Sequence, residues 1–343
     1  MALSTQKLGL VAVLALSPLA ALAGDCPPGA APFPSNMSNS GRQQYANLFD
    51  ISYYNTYKVI HYSDTLGNYT SNHPKANERI PDIVLYQCGT TQPSFGSPGI
   101  DDAFARYFEI PIQKATLPWS GPLPHFELLS TTETIYAMDF SDVSSACAQL
   151  MEECVPSLHI TRFDEDYATI AANNSVVFTG PLAIGFTNTD WDVEYQVTFD
   201  PAFLIRAEWI NFVAAFFNLE AQSNEIFSKI DADYLAMKGY AQQLGQDSST
   251  EWGGRQPLVL WATAFGPTTC PNEAEDCVRA NGDALWGWWT QVGGSWCQCG
   301  GWAADADPYM KNLVEDAGGR LVPFPQTTPS GCVMSSNTNG SVS

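Results

Sequence analysis

The 343-residue chain carries 36 acidic against 15 basic side chains, a formal net charge of −21 at pH 7, and only 15% of it is charged. Binding to nucleic acid or to an anionic membrane needs clustered cations that this composition does not supply, and a strongly anionic ligand is disfavoured on the same ground. Ten tryptophans in so weakly charged a chain point instead to recognition through aromatic surface.

Taken in order, residues 1–23 have the form of a cleavable secretory signal. Lys7 precedes a largely apolar run from Leu8 to Leu16, and Ala21-Leu22-Ala23 is a cleavage site. The run is too short for a permanent membrane span, and Asp25 before Cys26 argues against lipidation. Export makes local disulfides the expected state of the nine cysteines, with one left over. Sequons at Asn36, Asn68, Asn173 and Asn339 permit glycosylation in a eukaryotic source. No later run is apolar enough to span a bilayer, and the tail at 326–343 is polar. The expected product is a secreted, extracellular monomer, in a periplasmic-type compartment if the source is bacterial.

Residues 24–48 are rich in Pro, Gly, Ser and Asn and read as a flexible leader. Between 49 and 107, short β-branched and aromatic runs such as Tyr57-Lys58-Val59-Ile60-His61-Tyr62 predict a small antiparallel β layer. Strands then alternate with helices through 108–218. Strands are predicted around 110–117, 134–138, 175–178 and 195–199, helices at 124–130 and 143–151, and a helical turn near 164–172. This alternation implies a mainly parallel sheet covered on both faces, the first α/β lobe. The apolar residues Ile205, Trp209, Phe212, Phe216, Leu219, Ile226, Ile230, Tyr234 and Met237 recur at the helical period. A single helix over 201–244 would be about 65 Å long, more than one ordinary domain covers. A break at Asn218, taken as a helix-start cap, therefore divides a packed helix at 202–217 from a bridging helix at 219–244. The region 245–325 reads as part of a second α/β lobe. It has an apolar strand at 256–264, a Cys- and Trp-rich segment at 268–302, a helix at 308–317 closed by Gly318-Gly319, and a strand at 320–324.

Three blocks, FEIPIQKATLPWSGPLPHFELLSTTETIYAMDF (108–140), RAEWINFVAAFFN (206–218) and DPYMKNLVEDAGG (307–319), resemble the substrate-binding proteins of the ferric-siderophore and vitamin B12 import class. The resemblance implies a periplasmic-binding-protein-like fold, two α/β lobes joined by a long rigid helix. It also implies non-catalytic capture of a ferric chelate or corrinoid in the cleft, for delivery to a membrane transporter. The chain ends about two dozen residues after Gly319, where that family usually continues, so the second lobe is either reduced or truncated.

Ligands of open α/β sheets sit outside the carboxyl ends of strands, which draws attention to the loops after Leu117, Phe178, Phe199 and Ala264. The first offers Pro118-Trp119-Ser120-Gly121. Trp119 there either stacks on a planar ligand or packs on the lobe. His125 either ligates a metal or hydrogen-bonds a ligand, or is a solvated or capped side chain, and Glu127, in the first turn of its helix, is a candidate contact with a transporter or ligand. Arg206 has the fork to hold a carboxylate or hydroxamate, and Glu208 sits beside it, unless the two charges merely face opposite sides of the helix. Trp288, Trp289 and Trp302, in a dense group with Trp286 and Trp296, either line a pocket for a macrocycle or sugar or form the core of a disulfide-stapled insertion. Cys270, Cys277, Cys297 and Cys299 lack the spacing of a structural zinc site, and Cys147 and Cys154 can bridge if a helix ends between them.

No metal or cofactor is implied, and no G-x-S-x-G, H-E-x-x-H, phosphate-loop or dinucleotide motif is present. The sequence thus favours a secreted small-molecule-binding protein, ahead of a carbohydrate- or surface-interaction module on the same scaffold and of an acidic extracellular hydrolase.

Overall fold

The computed structural model describes residues 43–63, 80–140, 143–155, 158–161, 176–180, 190–246, 254–260, 262–265, 289–292, 295–298, 301–304, 308–321 and 335–336. The signal peptide, the four sequons, the helical turn near 164–172 and most of the Cys/Trp-rich segment, Trp288 included, lie outside these residues.

The first layer is a four-stranded sheet of β1 (Phe49–Tyr53), β2 (Tyr57–Tyr62), β3 (Ile83–Gln87) and β4 (Arg106–Ile110), in that spatial order. The first two pairings are antiparallel, and β3 pairs with β4 in parallel. Strand alternation divides its side chains. Ile51, Ile60, Ile83, Leu85 and Phe108 face the main core, whereas Tyr57, Val59, Val84 and Ile100 form a smaller cluster behind the sheet. The layer is therefore no separate appendage, and β4 crosses the expected boundary at 107–108. Arg106 donates to the carbonyl of Asp192, and the Tyr62 hydroxyl donates to that of Glu194 at 2.8 Å, tying this layer to the next.

The expected strand at 110–117 is two strands in two sheets. Pro111, which has no N–H and follows a cis peptide bond, ends β4, and the chain resumes in β5 (Ala115–Leu117). A 3-10 turn at Thr132–Thr134 leads into β6 (Ile135–Asp139), followed by β7 (His159–Thr161), β8 (Val176–Thr179) and β9 (Asp192–Glu194). These form an all-parallel sheet in the order β7-β6-β5-β8-β9. The expected strand at 195–199 is absent, because the chain turns into a 3-10 helix at Val197–Phe199.

Helix α1 (Leu123–Leu128) connects β5 to β6, and α2 (Ala146–Cys154) connects β6 to β7, its start capped by Ser145 accepting from the Ala148 N–H. Cys147 and Cys154 lie at opposite ends of one continuous helix, exposed and free, so the expected bridge between them is not formed.

The packed helix also divides, into α3 (Phe203–Glu208) and α4 (Ile210–Ala215). Trp209, Ile210, Phe212, Val213 and Phe216 are fully buried against both sheets, a placement explained by their helical spacing. Asn218 breaks the helices, but as a left-handed residue with φ 58° rather than as a start cap, and the Leu219 N–H returns to the Ala214 carbonyl at 3.1 Å.

Helix α5 (Glu220–Gln246) is 27 residues long, about 40 Å. Only Glu220, Ser223 and Phe227 in it are buried, so beyond its first two turns it runs largely in solvent, as expected of a helix that spans between packed units.

Across it, β10 (Leu258–Val259) and β15 (Arg320–Leu321) pair in parallel, flanking α6 (Pro308–Asp316) in the chain. The single apolar strand expected at 256–264 is interrupted, since β11 (Ala262–Phe265) belongs to another sheet, with β14 (Gly301–Ala304) and β16 (Ser335–Ser336). β12 (Trp289–Val292) and β13 (Ser295–Gln298) form a hairpin, which places Trp289 in a strand, as Trp302 is in β14. Gly318, at φ 79°, closes α6, where an added Cβ would lie 2.8 Å from the Ala241 carbonyl. That approach seats the second unit on α5, and the Lys238–Asp316 ion pair at 2.7 Å and the Tyr234 hydroxyl donating to Asp316 at 2.8 Å hold it, while the Tyr234 ring stacks on Phe203 of α3. The fold is mixed α/β, with a parallel sheet in its first half and a smaller α/β arrangement beyond the long helix.

Lys58 on β2 points into the core at 0% exposure and binds the Ala215 carbonyl and Asn218 Oδ1, both at 2.8 Å, and the Glu220 carboxylate. Burial pulls its pKa down, and Glu220 opposes the fall. Removing one member of a buried ion pair strands the other. Lys58→Met is expected to cost about 3–5 kcal/mol in urea unfolding, and the Lys58→Met/Glu220→Leu double variant less than the two single changes added together.

Candidate functional site

In the sheet order β7-β6-β5-β8-β9 the chain winds one way from β5 through β6 to β7, then resumes on the far side of β5 with β8 and β9. The direction reverses between β5 and β8. Outside the carboxyl ends of those two strands an open parallel sheet has its natural crevice, because the connections leave in opposite directions there.

Trp119 follows β5, and Gly180 follows β8. The half-buried Trp119 indole reaches across this reversal and donates from Nε1 to the Phe178 carbonyl on β8 at 3.1 Å. Two glycines make room for it. A Cβ on Gly121 would lie 2.2 Å from the indole ring and one on Gly180 2.7 Å from it. The ring is thus clamped in one orientation with part of its surface left in solvent, the arrangement of a stacking platform.

Below it stands Tyr195, fully buried, whose ring centroid is 6.2 Å from Trp119, 6.1 Å from His125 and 5.0 Å from Trp209. The Tyr195 hydroxyl bonds His125 Nδ1. Burial holds His125 neutral, lowering its pKa to about 4, and keeps the phenol protonated. His125 therefore supports the platform from inside the lobe. Next along the chain, Gln196 donates from Nε2 to Glu194 at 2.8 Å, while its buried Oε1 has no partner among the described residues. A buried acceptor left open at this edge is a place for a ligand's donor.

The other candidates are not brought to this spot. Glu127 lies in the last turn of α1 rather than the first, and its carboxylate accepts from the Ser145 hydroxyl, linking α1 to the start of α2. Glu208 is buried and accepts the backbone N–H groups of Gln44, Tyr45 and Ala46 at 2.6–2.7 Å, so it anchors residues that were expected to be a flexible leader. Arg206 points the opposite way. It donates to the Thr198 and Asp200 carbonyls at 2.9 and 2.7 Å and lies 3.7 Å above the Tyr309 ring, pinning α6 against α3. Asn312 of α6 adds a bond to the Pro201 carbonyl at 2.8 Å. The two charges do face different sides of the helix, as their spacing of two requires. Among the described residues, no group of three or more His, Cys, Asp or Glu is placed to hold a metal ion, and no helix is long and apolar enough to cross a membrane.

Tyr195 and Gln196 escaped the sequence reading as site residues, and Gly180 was covered only as part of the flagged loop after Phe178. Gly180 alone left a signal, as the glycine that directly follows the Val176–Thr179 run.

No protein-family profile matches the chain, and no curated protein matches it in sequence. Similar solved structures include one described as an ABC-type Fe3+-hydroxamate transport system from Saccharomonospora viridis DSM 43017. It is 15% identical with a TM-score of 0.40, over 62% of this chain and 66% of that one. A periplasmic binding protein from Veillonella parvula DSM 2008 is 7% identical with a TM-score of 0.40, over 62% of this chain and 59% of that one. The chain thus spans less than two thirds of the length of either.

Two buried groups near the site give stability opposite pH slopes. The unfolded imidazole takes up a proton that folded His125 refuses, so stability rises with pH between about 4 and 6.5. Burial raises the Asp200 carboxyl to about 6 from 3.8, with the Trp209 indole N–H opposing, so the folded state keeps a proton that the unfolded one has lost and stability falls across that interval. Asp200→Asn is expected to leave a net rise with pH and His125→Gln a net fall, each changing the slope by up to about 1.4 kcal/mol per pH unit. Urea midpoints from pH 4 to 7 check this.

Proposed function

We propose that the protein is a non-catalytic, extracytoplasmic solute-binding protein that takes a small molecule with a planar or macrocyclic face at the carboxyl edge of the parallel sheet. The observation that carries the reading is the half-exposed Trp119 indole, clamped by Gly121, Gly180 and the Phe178 carbonyl where the winding of the sheet reverses. A rigid indole loses little freedom when a flat ligand stacks on it, so its buried area goes into binding. The open acceptor of Gln196 supplies one polar contact for orientation.

A ferric chelate or corrinoid fits this chemistry, and the three sequence blocks that resemble ferric-siderophore and vitamin B12 binding proteins favour that ligand class, with a membrane transporter as recipient. The long α5 helix and the second unit packed on its far half supply the second wall. In this reading Trp289 and Trp302 belong to that wall.

Titration of the secreted protein with ferric hydroxamates, ferric catecholates, corrinoids and haem, read by tryptophan fluorescence, tests the proposal. Saturable sub-micromolar quenching by one class is expected, with Trp119→Ala and Gly180→Val each weakening it at least tenfold, about 1.4 kcal/mol. A folded protein that responds to none of them, or whose response survives both changes, contradicts it.

A further inference from the structure

Two open spaces lie away from Trp119, on the carboxyl half of α5. One cavity of 490 Å³ is walled by Met237, Tyr240 and Leu244 of α5 with Pro257 and Leu313 opposite. A second, of 810 Å³, is walled by Arg255, Arg320, Gln242, Gln246 and Gln256. Gly245, Arg255 and Gly318 line both, so the two are halves of one groove. Each volume is in the range of small-ligand sites.

The halves differ in chemistry. Met237, Tyr240 and Leu244 are spaced three and four apart and so share one helix face, yet they are 71%, 64% and 40% exposed. The other half holds two of the chain's 15 cationic side chains, Arg255 and Arg320, and neither makes an ion pair among the described residues. Arginines without carboxylate partners in a protein of net charge −21 are available to an incoming anion. Among the described residues the one acid in the groove wall, Asp316, is already met by Lys238 at 2.7 Å and by the Tyr234 hydroxyl at 2.8 Å.

We propose that this groove binds an amphipathic monocarboxylate of the fatty-acid class, its carboxylate held by Arg255 and Arg320 and its acyl chain laid along Met237, Tyr240 and Leu244. Gly245 stands where the head group gives way to the chain. A Cβ there would already be in van der Waals contact with the Gly318 carbonyl at 3.7 Å, so a larger side chain would narrow the passage. The site is independent of the one at Trp119.

The probe is 11-(dansylamino)undecanoate, titrated into the full secreted protein and then displaced by competitors. One-to-one saturable binding is expected, displaced by dodecanoate and at least tenfold less well by dodecanol. Arg255→Gln/Arg320→Gln should weaken dodecanoate at least tenfold, as for a lost charge-assisted pair, while Lys229→Gln, which removes a cation elsewhere on α5, should not. Gly245→Leu, which fills the passage at a half-buried helical position, should weaken it without lowering the unfolding midpoint. Absence of saturable binding, equal displacement by dodecanol and dodecanoate, or unchanged affinity in the double arginine variant would overturn the proposal.

Discussion

An ammonium group shut away from water stands where the N-terminal sheet, the packed helices and the long helix meet. Lys58 is held there by the Ala215 carbonyl, Asn218 Oδ1 and the Glu220 carboxylate. Each partner belongs to a different part of the break between α4 and α5, so one side chain fixes the angle at which the long helix leaves the first lobe. Desolvating an ammonium is costly, and these acceptors offset it. The direction of α5 follows, and with it the placement of everything packed on its far half.

The aromatic core performs a second task. Phe126, Phe178, Phe212, Phe216, Tyr195 and Trp209 pack edge to face or tilted about one another, joining the parallel sheet to the helices. Trp119 is the outermost member of this group and the one that retains solvent exposure. The stacking platform is thus an extension of the core rather than a feature of a mobile loop, and its orientation is as well determined as the sheet.

Helical periodicity in the sequence was strong enough to mark the break near Asn218, because apolar spacing of three and four persists on both sides of it. The reason for the break was less legible. Asn218 adopts a left-handed conformation and is bonded by a lysine about 160 residues earlier in the chain, a contact that no local pattern announces. Lys58 did leave a trace, being in phase with Ile60 on the apolar face of β2. The run from 110 to 117 looked like one strand because Ile110, Ile112, Ala115 and Leu117 are apolar, and only Pro111 marked the crossing between sheets. Arg206 and Glu208 looked like ligand-binding charges because cations are scarce and helix starts face clefts, but both are engaged by the protein's own backbone. Trp119 was visible from its loop after a strand, as was the loop after Phe178, whereas the meeting of the indole with Phe178 and Gly180, about 60 positions away, was not.

Hydrogen exchange by mass spectrometry, with and without a saturating ligand from the chelate and corrinoid panel, bears most directly on where solute is captured. The account predicts ligand-dependent protection in peptides covering Leu117–Gly121 and Phe178–Gly180, the two strand ends joined by the Trp119 indole. Protection elsewhere with both of these segments unchanged would contradict it.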